Sequence, residues 1–329
     1  MSIASSTQVT TQPPQKAFDQ ATFSSYIGQT VSGTAVYAGR VNPKWSVGQV
    51  PAVSVLYLLH PLHYLTHSRQ TYAYNAFFYR VAMSLQCLLE LCLITLPPTK
   101  GGAFVVEIRE LKPSKFGYCV LEVTLQQPKD LTAPVPTHVN EYDPADYVKK
   151  THTILTMGNM EKEKGTNYIH TPLAAKPPSF DAMEPNQADF MSEFIDMYQD
   201  MSTYPQGDKP GIPEVHHCVG FSDGRPIDFK SLAFWSDMFI HPNYSLDQKI
   251  LGGPRWCPTM QLEIQFKSVP RNVNKVLASF AVPHIINNRF DLDGALFDQQ
   301  GNLLAITRHQ CLLVPWERNT PSAATKNKL

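Results

Sequence analysis

One acid raises the question of chemistry in this chain. Asp237 stands near the end of the stretch "GRPIDFKSLAFWSDMF", residues 224–239. Asp228 follows a turn-forming Gly-Arg-Pro and suits a helix N-cap, because its carboxylate can accept from backbone N–H groups two or three residues on. Phe229, Leu232, Ala233 and Ser236 then recur at helical spacing. Asp237 therefore falls at the C-terminal end of the helix, where the dipole disfavours negative charge. An acid so placed is either solvated or a base whose pKa is held up for proton transfer.

Other groupings of reactive residues carry less. His216, His217 and Cys218 are adjacent in "EVHHC", and neighbours on a strand diverge, with no second cluster to complete a tetrahedral metal set. His60 and His63 are separated by a proline in "LHPLH". The acid pairs Asp291–Asp293 and Asp223–Asp228 read as turn and cap residues. "SDGRP" has a single glycine, and neither GxGxxG nor a Walker pattern occurs. The residues call for no metal, flavin or nucleotide cofactor.

The elements that would position Asp237 follow from periodicity. Two strand-rich blocks flank a Pro-rich middle. The first holds the strands "TVSGTAVYAGRV", "AFVVEIRELK", "GYCVLEVTLQQ" and "KKTHTILTMGN", with a buried helix expected over "VAMSLQCLLELCLI". The middle is linker chemistry around one amphipathic helix, "ADFMSEFIDMYQDM". The second block has the strand "EVHHCVGF", the helix after Asp228, then "TMQLEIQF", "KVLASFAVPHI", "NRFDLDGALFD" and "NLLAITRHQCLLV". Its last two strands read as a hairpin through "DQQGN". Each block is one helix among mostly antiparallel strands, which implies an α+β protein in which a sheet curls around a helix.

Composition sets the outer limits. The 329 residues carry 28 basic and 28 acidic side chains. Such a balance favours neither nucleic acid nor an anionic membrane surface as partner. Six cysteines without CxxC spacing behave as small apolar residues of a reducing compartment. The runs "VSVLYLLHPLHYL" and "MSLQCLLELCLITL" are too short to span a membrane. The expected location is cytoplasmic, or peroxisomal through the final Asn-Lys-Leu, a variant of the Ser-Lys-Leu address.

Four stretches, "YAGRVNPKWSVGQVP", "GRPIDFKSLAFWSDMF", "WCPTMQLEIQFKSVP" and "NRFDLDGALFDQQGNLLAITRHQCLLVPW", together resemble the thioesterase-like superfamily, and more closely fungal relatives of acyl-CoA thioesterase II. The resemblance implies a double hotdog: two curved antiparallel sheets, each wrapped around one helix and joined edge to edge. It implies hydrolysis of an acyl thioester, on CoA or on an acyl carrier, with no cofactor. In that family an Asp, a Thr and a Gln orient the attacking water. Carried over by motif, the Asp is Asp237 and the Thr is Thr259. The third position is His309 or its neighbour Gln310. Strand neighbours face opposite ways. His309 shares its face with Ala305, Thr307 and Cys311, smaller residues suited to a channel, and is favoured for that reason. Thr259, by plain alternation with the apolar Met260, Leu262, Ile264 and Phe266, falls on the polar face.

The expected organisation is a polar tail over 1–20, an N-terminal hotdog over 21–158, a linker with one helix over 159–210, a C-terminal hotdog over 211–317 and a tail over 318–329. Residues 53–79 depart from the resembled pattern. Val53-Ser54 can be encoded by GTAAGT, and Phe77 to Arg80 by a pyrimidine-rich run ending in AG. The segment reads as an atypical insertion or a translated intron, and the strand expected before "AFVVEIRE" is hard to see. Two other functions suit the same fold: a hydratase or dehydratase using Asp237 and His309, and a non-catalytic acyl-binding hotdog. Homo-oligomerisation is compatible with the fold and left open.

Overall fold

Runs of Val, Ile, Thr and aromatic residues become strands here, and their alternation decides which face each side chain takes. A computed structural model describes residues 16–47, 50–51, 87–95, 99–113, 118–161, 163–168, 180, 183–186, 190–246 and 248–319. The described residues open with a short helix α1 (Ala17–Ala21) and strands β1 (Ser24–Gln29) and β2 (Ala35–Val41). Then come β3 (Cys87–Thr95), β4 (Gly102–Lys112), β5 (Cys119–Pro128) and β6 (Tyr147–Gly158). The remainder holds β7 (Ile195–Gln199), β8 (Glu214–Phe221), α2 (Phe229–Trp235), β9 (Thr259–Phe266), β10 (Lys275–Ala281), β11 (Arg289–Phe297) and β12 (Leu303–Leu312).

These strands form one antiparallel sheet in the order β1-β2-β4-β5-β6-β3-β9-β12-β11-β10-β8-β7, closed at its far edge by Glu184–Pro185. The two halves meet where β3 pairs β9, from Gln261 opposite Ile94 to Gln265 opposite Glu90. The result is the expected double hotdog, with two half-sheets joined edge to edge.

Two sequence-based expectations are corrected. The helix expected over "VAMSLQCLLELCLI" is, from Cys87 on, the strand β3. An unbroken apolar run does not distinguish a buried helix from a central strand. Here both edges of β3 are paired, to β6 and β9. Leu91 and Leu93 are buried while Ile94 is exposed, a period of two. The strand that was hard to see before "AFVVEIRE" therefore lies inside the supposed helix. The second correction is the linker helix. Ile195–Gln199 is β7, paired with β8 from Ile195 opposite Phe221 to Gln199 opposite His217. Ile195, Met197 and Gln199 are buried and Asp196 is exposed, so alternation prevails over the helical reading. The atypical segment 53–79 lies outside the described residues.

The helix α2 forms where local chemistry asks for it. Asp228 Oδ1 accepts from Ser231 N at 2.8 Å, and Ser231 Oγ accepts from Asp228 N at 2.8 Å, a reciprocal capping box. Residues Lys230 through Trp235 are all buried, because the C-terminal half-sheet curls around the helix. Phe234 and Trp235 are fully enclosed, and burial of such side chains stabilises by roughly 1.5–3 kcal/mol each.

A buried ionic clasp ties the chain's first helix to this one. Arg225 donates to both Asp19 oxygens at 2.8 and 2.9 Å and to Asp228 Oδ2 at 2.6 Å. Lys230 donates to Asp19 Oδ1 at 2.8 Å and Thr22 Oγ1 at 2.9 Å. The Arg225 and Lys230 cations also lie over the Phe18 ring. Two cations face two carboxylates, so charge is matched where water is excluded. Together these contacts fix the angle at which α2 enters the sheet.

Candidate functional site

The helix α2 ends without a glycine. Ser236 N donates to Leu232 O and its hydroxyl donates back to the same carbonyl at 2.9 Å. Asp237 N reaches Phe234 O at 3.0 Å, a tightened last turn. This turn delivers the Asp237 carboxylate against β12, where Asp237 Oδ1 lies 3.6 Å from His309 Nδ1. Desolvation raises the Asp237 carboxyl from 3.8 to about 6. Its side chain keeps 27 % of its surface open, so the acid is held at a mouth rather than sealed.

His309 is completely buried, and its tautomer is fixed by what it touches. Nε2 lies 2.9 Å from the Ser236 carbonyl, which can only accept, so Nε2 carries a proton. Thr307 Oγ1, 3.2 Å away, braces the same nitrogen. Thr307 Oγ1 itself donates to Glu263 O at 2.9 Å. In the neutral ring Nδ1 is then a bare acceptor facing a carboxylate oxygen. Two acceptors repel, so the pair is built to hold one further proton between them. Burial pushes the His309 ring down to about 4, which leaves that proton to the acid.

Thr259 reaches the same place through an irregularity. Along β9, Leu262, Ile264 and Phe266 are buried on the concave face, while Gln261, Glu263 and Gln265 are only half-buried. Plain alternation would put Thr259 with the glutamines. Instead Thr259 pairs with Cys311 and Gln261 with Gln310, so Met260 is an extra residue, a β-bulge. Thr259 Oγ1 comes 3.7 Å from Cys311 Sγ, on the face that carries His309. Thr95 at the end of β3 staples the bulge, donating to the carbonyls of Thr259 at 2.6 Å and Met260 at 3.1 Å. The polar-face expectation for Thr259 is thus corrected by one inserted residue.

Gln310 is exposed on the opposite face, in register with Gln261 and Asp291. The structure therefore gathers Asp237, His309 and Thr259 and leaves Gln310 out. Cys311 was not singled out by sequence. It is buried beside Thr259, and its thiol pKa is raised by burial and further by the charge of Asp237. Among the described residues no group of three or more His, Cys, Asp or Glu could hold a metal ion. His216 bonds Ser279 across the strands at 2.9 Å, and His217 is wholly buried.

Register also shows that the related positions on β3 and β6 carry different residues. The central pairing of Glu263 with Cys92 is a pseudo-twofold point. It relates Leu262 to Leu91, and hence His309, opposite Leu262, to Leu155, opposite Leu91. β3 carries the matching bulge, with Leu88 opposite Met157 where β9 has Thr259 opposite Cys311. At these positions β3 and β6 repeat the pairing pattern but carry leucine and methionine where β9 and β12 carry threonine, imidazole and thiol.

Residues 172–313 match the family model of the acyl-CoA thioesterase C-terminal domain. Over these residues the chain is similar to that thioesterase family. Solved structures extend the likeness of fold to the rest of the chain. A hotdog protein of unknown function from Alicyclobacillus acidocaldarius has a TM-score of 0.67 at 16% identity, covering 91% of this chain and 98% of its own. A candidate thioesterase II from Thermobifida fusca has a TM-score of 0.68 at 17% identity, with coverage of 91% and 98%. An acyl-CoA thioesterase II from Mycobacterium marinum has a TM-score of 0.54 at 14% identity, with coverage of 87% and 94%. No curated protein sequence matches the chain. Asp237, Thr259 and His309 all lie within the matched thioesterase domain.

Proposed function

We propose that the protein hydrolyses acyl-CoA thioesters to free acid and CoA thiol. The observation that carries this reading is the Asp237–His309 juxtaposition at 3.6 Å, inside a thioesterase-family domain. Asp237 takes a proton from a water held by Thr259 and His309. The water oxygen attacks the thioester carbon, and the carbonyl electron pair moves onto oxygen. The oxyanion then collapses, the C–S bond breaks, and the thiolate leaves with the proton returned by Asp237. The raised carboxyl pKa suits a base, because a general base works best with a pKa near the operating pH. The acyl chain occupies the apolar space between α2 and the sheet. No helix among the described residues is long and apolar enough to cross a membrane.

An Asp beside a His also suits addition of water to an enoyl thioester, which keeps the C–S bond. A panel of short- to long-chain acyl-CoAs and their 2-enoyl counterparts, read for thiol release with a thiol-reactive dye and for enoyl absorbance, separates the two. Hydrolysis predicts dye signal that grows with time. Loss of enoyl absorbance without dye signal favours hydration, and neither change overturns both readings.

A further inference from the structure

Hydrolysis needs a donor for the thioester oxygen as it becomes charged, and the Asp237–Thr259–His309 group is occupied with the water. We infer that His241 supplies that donor through its Nε2–H, an inference that rests on the hydrolytic reading.

The ring is placed by the turn that follows α2. His241 caps a single 3-10 turn, Pro242–Ser245. Asn243 N donates to His241 Nδ1 at 3.4 Å. The neutral ring must then carry its proton on Nε2. That nitrogen is buried and has no hydrogen-bond partner among the described residues. An unpaired buried donor is unfavourable, and a bound carbonyl oxygen would relieve it. The surroundings locate the ring at the wall of the site. It meets Phe290 edge-on at 4.9 Å between centroids, and Phe290 is the cross-strand neighbour of Cys311. On its other side Phe239 lies 5.8 Å away, and Phe239 meets the His309 ring at 5.5 Å. Cys311 leads to Thr259, so a short chain of contacts links the ring with the unpaired donor to Thr259 on one side and to His309 on the other.

Burial, and then the neighbouring His309, push the His241 ring down to about 3. It therefore stays neutral and offers an N–H without bringing a full charge to the ground state. In the transition state the carbonyl π pair moves to oxygen and Nε2–H donates to it. When C–O double bonding is restored and the thiolate leaves, the ring keeps its proton. His241 is neither acid nor base in this step, which distinguishes it from Asp237.

The test uses the full-length protein, wild type and His241→Phe, with His241→Gln as the variant that keeps a side-chain N–H. Two uncleavable probes separate carbonyl recognition from general binding: an acyl-CoA analogue with methylene in place of sulfur, which retains the carbonyl, and an alkyl-CoA thioether, which lacks it. His241→Phe is expected to lower kcat by about a hundredfold, the effect of removing one oxyanion donor. KM and thioether affinity stay close to wild type, while ketone affinity falls. His241→Gln recovers part of kcat and of ketone affinity, and it carries the test should the Phe variant fail to melt cooperatively. Full turnover in His241→Phe, or equal loss of both probes, overturns the inference while leaving hydrolysis intact. Should wild type release no thiol yet prefer the ketone in a His241-dependent way, hydrolysis falls and carbonyl recognition stands. Absence of any ketone preference removes it.

Discussion

Replacing Asp237 by asparagine separates the stability of the site from its chemistry. Burial moves the carboxyl from 3.8 to about 6. The native state at pH 8 therefore carries a charged carboxylate at a cost of about 3 kcal/mol. With 27 % of the side chain exposed, water recovers part of this, and about 1–2 kcal/mol is the realistic figure. The sign follows from proton binding. Between 3.8 and about 6 the folded state holds more protons than the unfolded state, so stability falls as pH rises through that window. Above it the loss is complete, and below it the loss vanishes. The asparagine side chain has no charge to bury, and its amide can donate an N–H to His309 Nδ1. Asp237→Asn should thus melt higher than wild type at pH 8, by about 2–4 °C for each kcal/mol. The gap should narrow toward pH 4. Turnover should fall at least about a hundredfold. Paired thermal melts at the two pH values, with thiol release at pH 8, read both effects. A variant that melts lower than wild type at pH 8, or that keeps the wild-type rate, would refute the reasoning.

Three further perturbations reach other parts of the molecule. His309→Gln, which restores the amide of the resembled family, should keep turnover within about tenfold, whereas His309→Leu, the residue at the register-related position of the N-terminal half, should cost at least about a hundredfold in thiol release. Thr95→Val removes the hydroxyl that staples the bulge and should lower kcat about fivefold, one hydrogen bond's worth, while Thr95→Ser should not. Asp19→Ala strands the buried Arg225 and Lys230 cations and should destabilise by about 3–5 kcal/mol in a denaturant titration; an unchanged midpoint would show the clasp to be dispensable.

What the sequence disclosed was local chemistry, and what it concealed was pairing. The Asp228 cap and the course of α2 were readable because the capping box is written within one short stretch, Asp228 to Ser231. Which of His309 and Gln310 turns inward was readable because alternation on β12 runs without interruption past His309. β3 was not readable as a strand, since what makes it one is a pair of neighbours, β6 and β9, remote from it in the chain. The same holds for β7, whose periodicity is short and whose partner is β8. Thr259 was named through family likeness, but its route into the site was hidden. A bulge is a difference in count between two strands, and no single strand records it. His241 gave no signal at all, because an unpaired buried nitrogen exists only once its surroundings are folded, and Cys311 was visible only as a small neighbour on the face of His309.

The bulge at Met260 makes this pocket depend on parity. Were Met260 drawn into the regular ladder opposite Cys311, every rung from Gln261 onward would be kept and the amino-acid inventory would be unchanged. Yet Thr259 would slip to a place opposite Leu312 and turn outward, beside Gln261 and Glu263, and the apolar Met260 would take its place. A one-residue slip in a strand would thus silence the pocket without removing any residue named in its chemistry. On β3 and β6 the offset at Leu88 is kept, and the residues at the related positions, Leu88, Leu155 and Met157, are apolar.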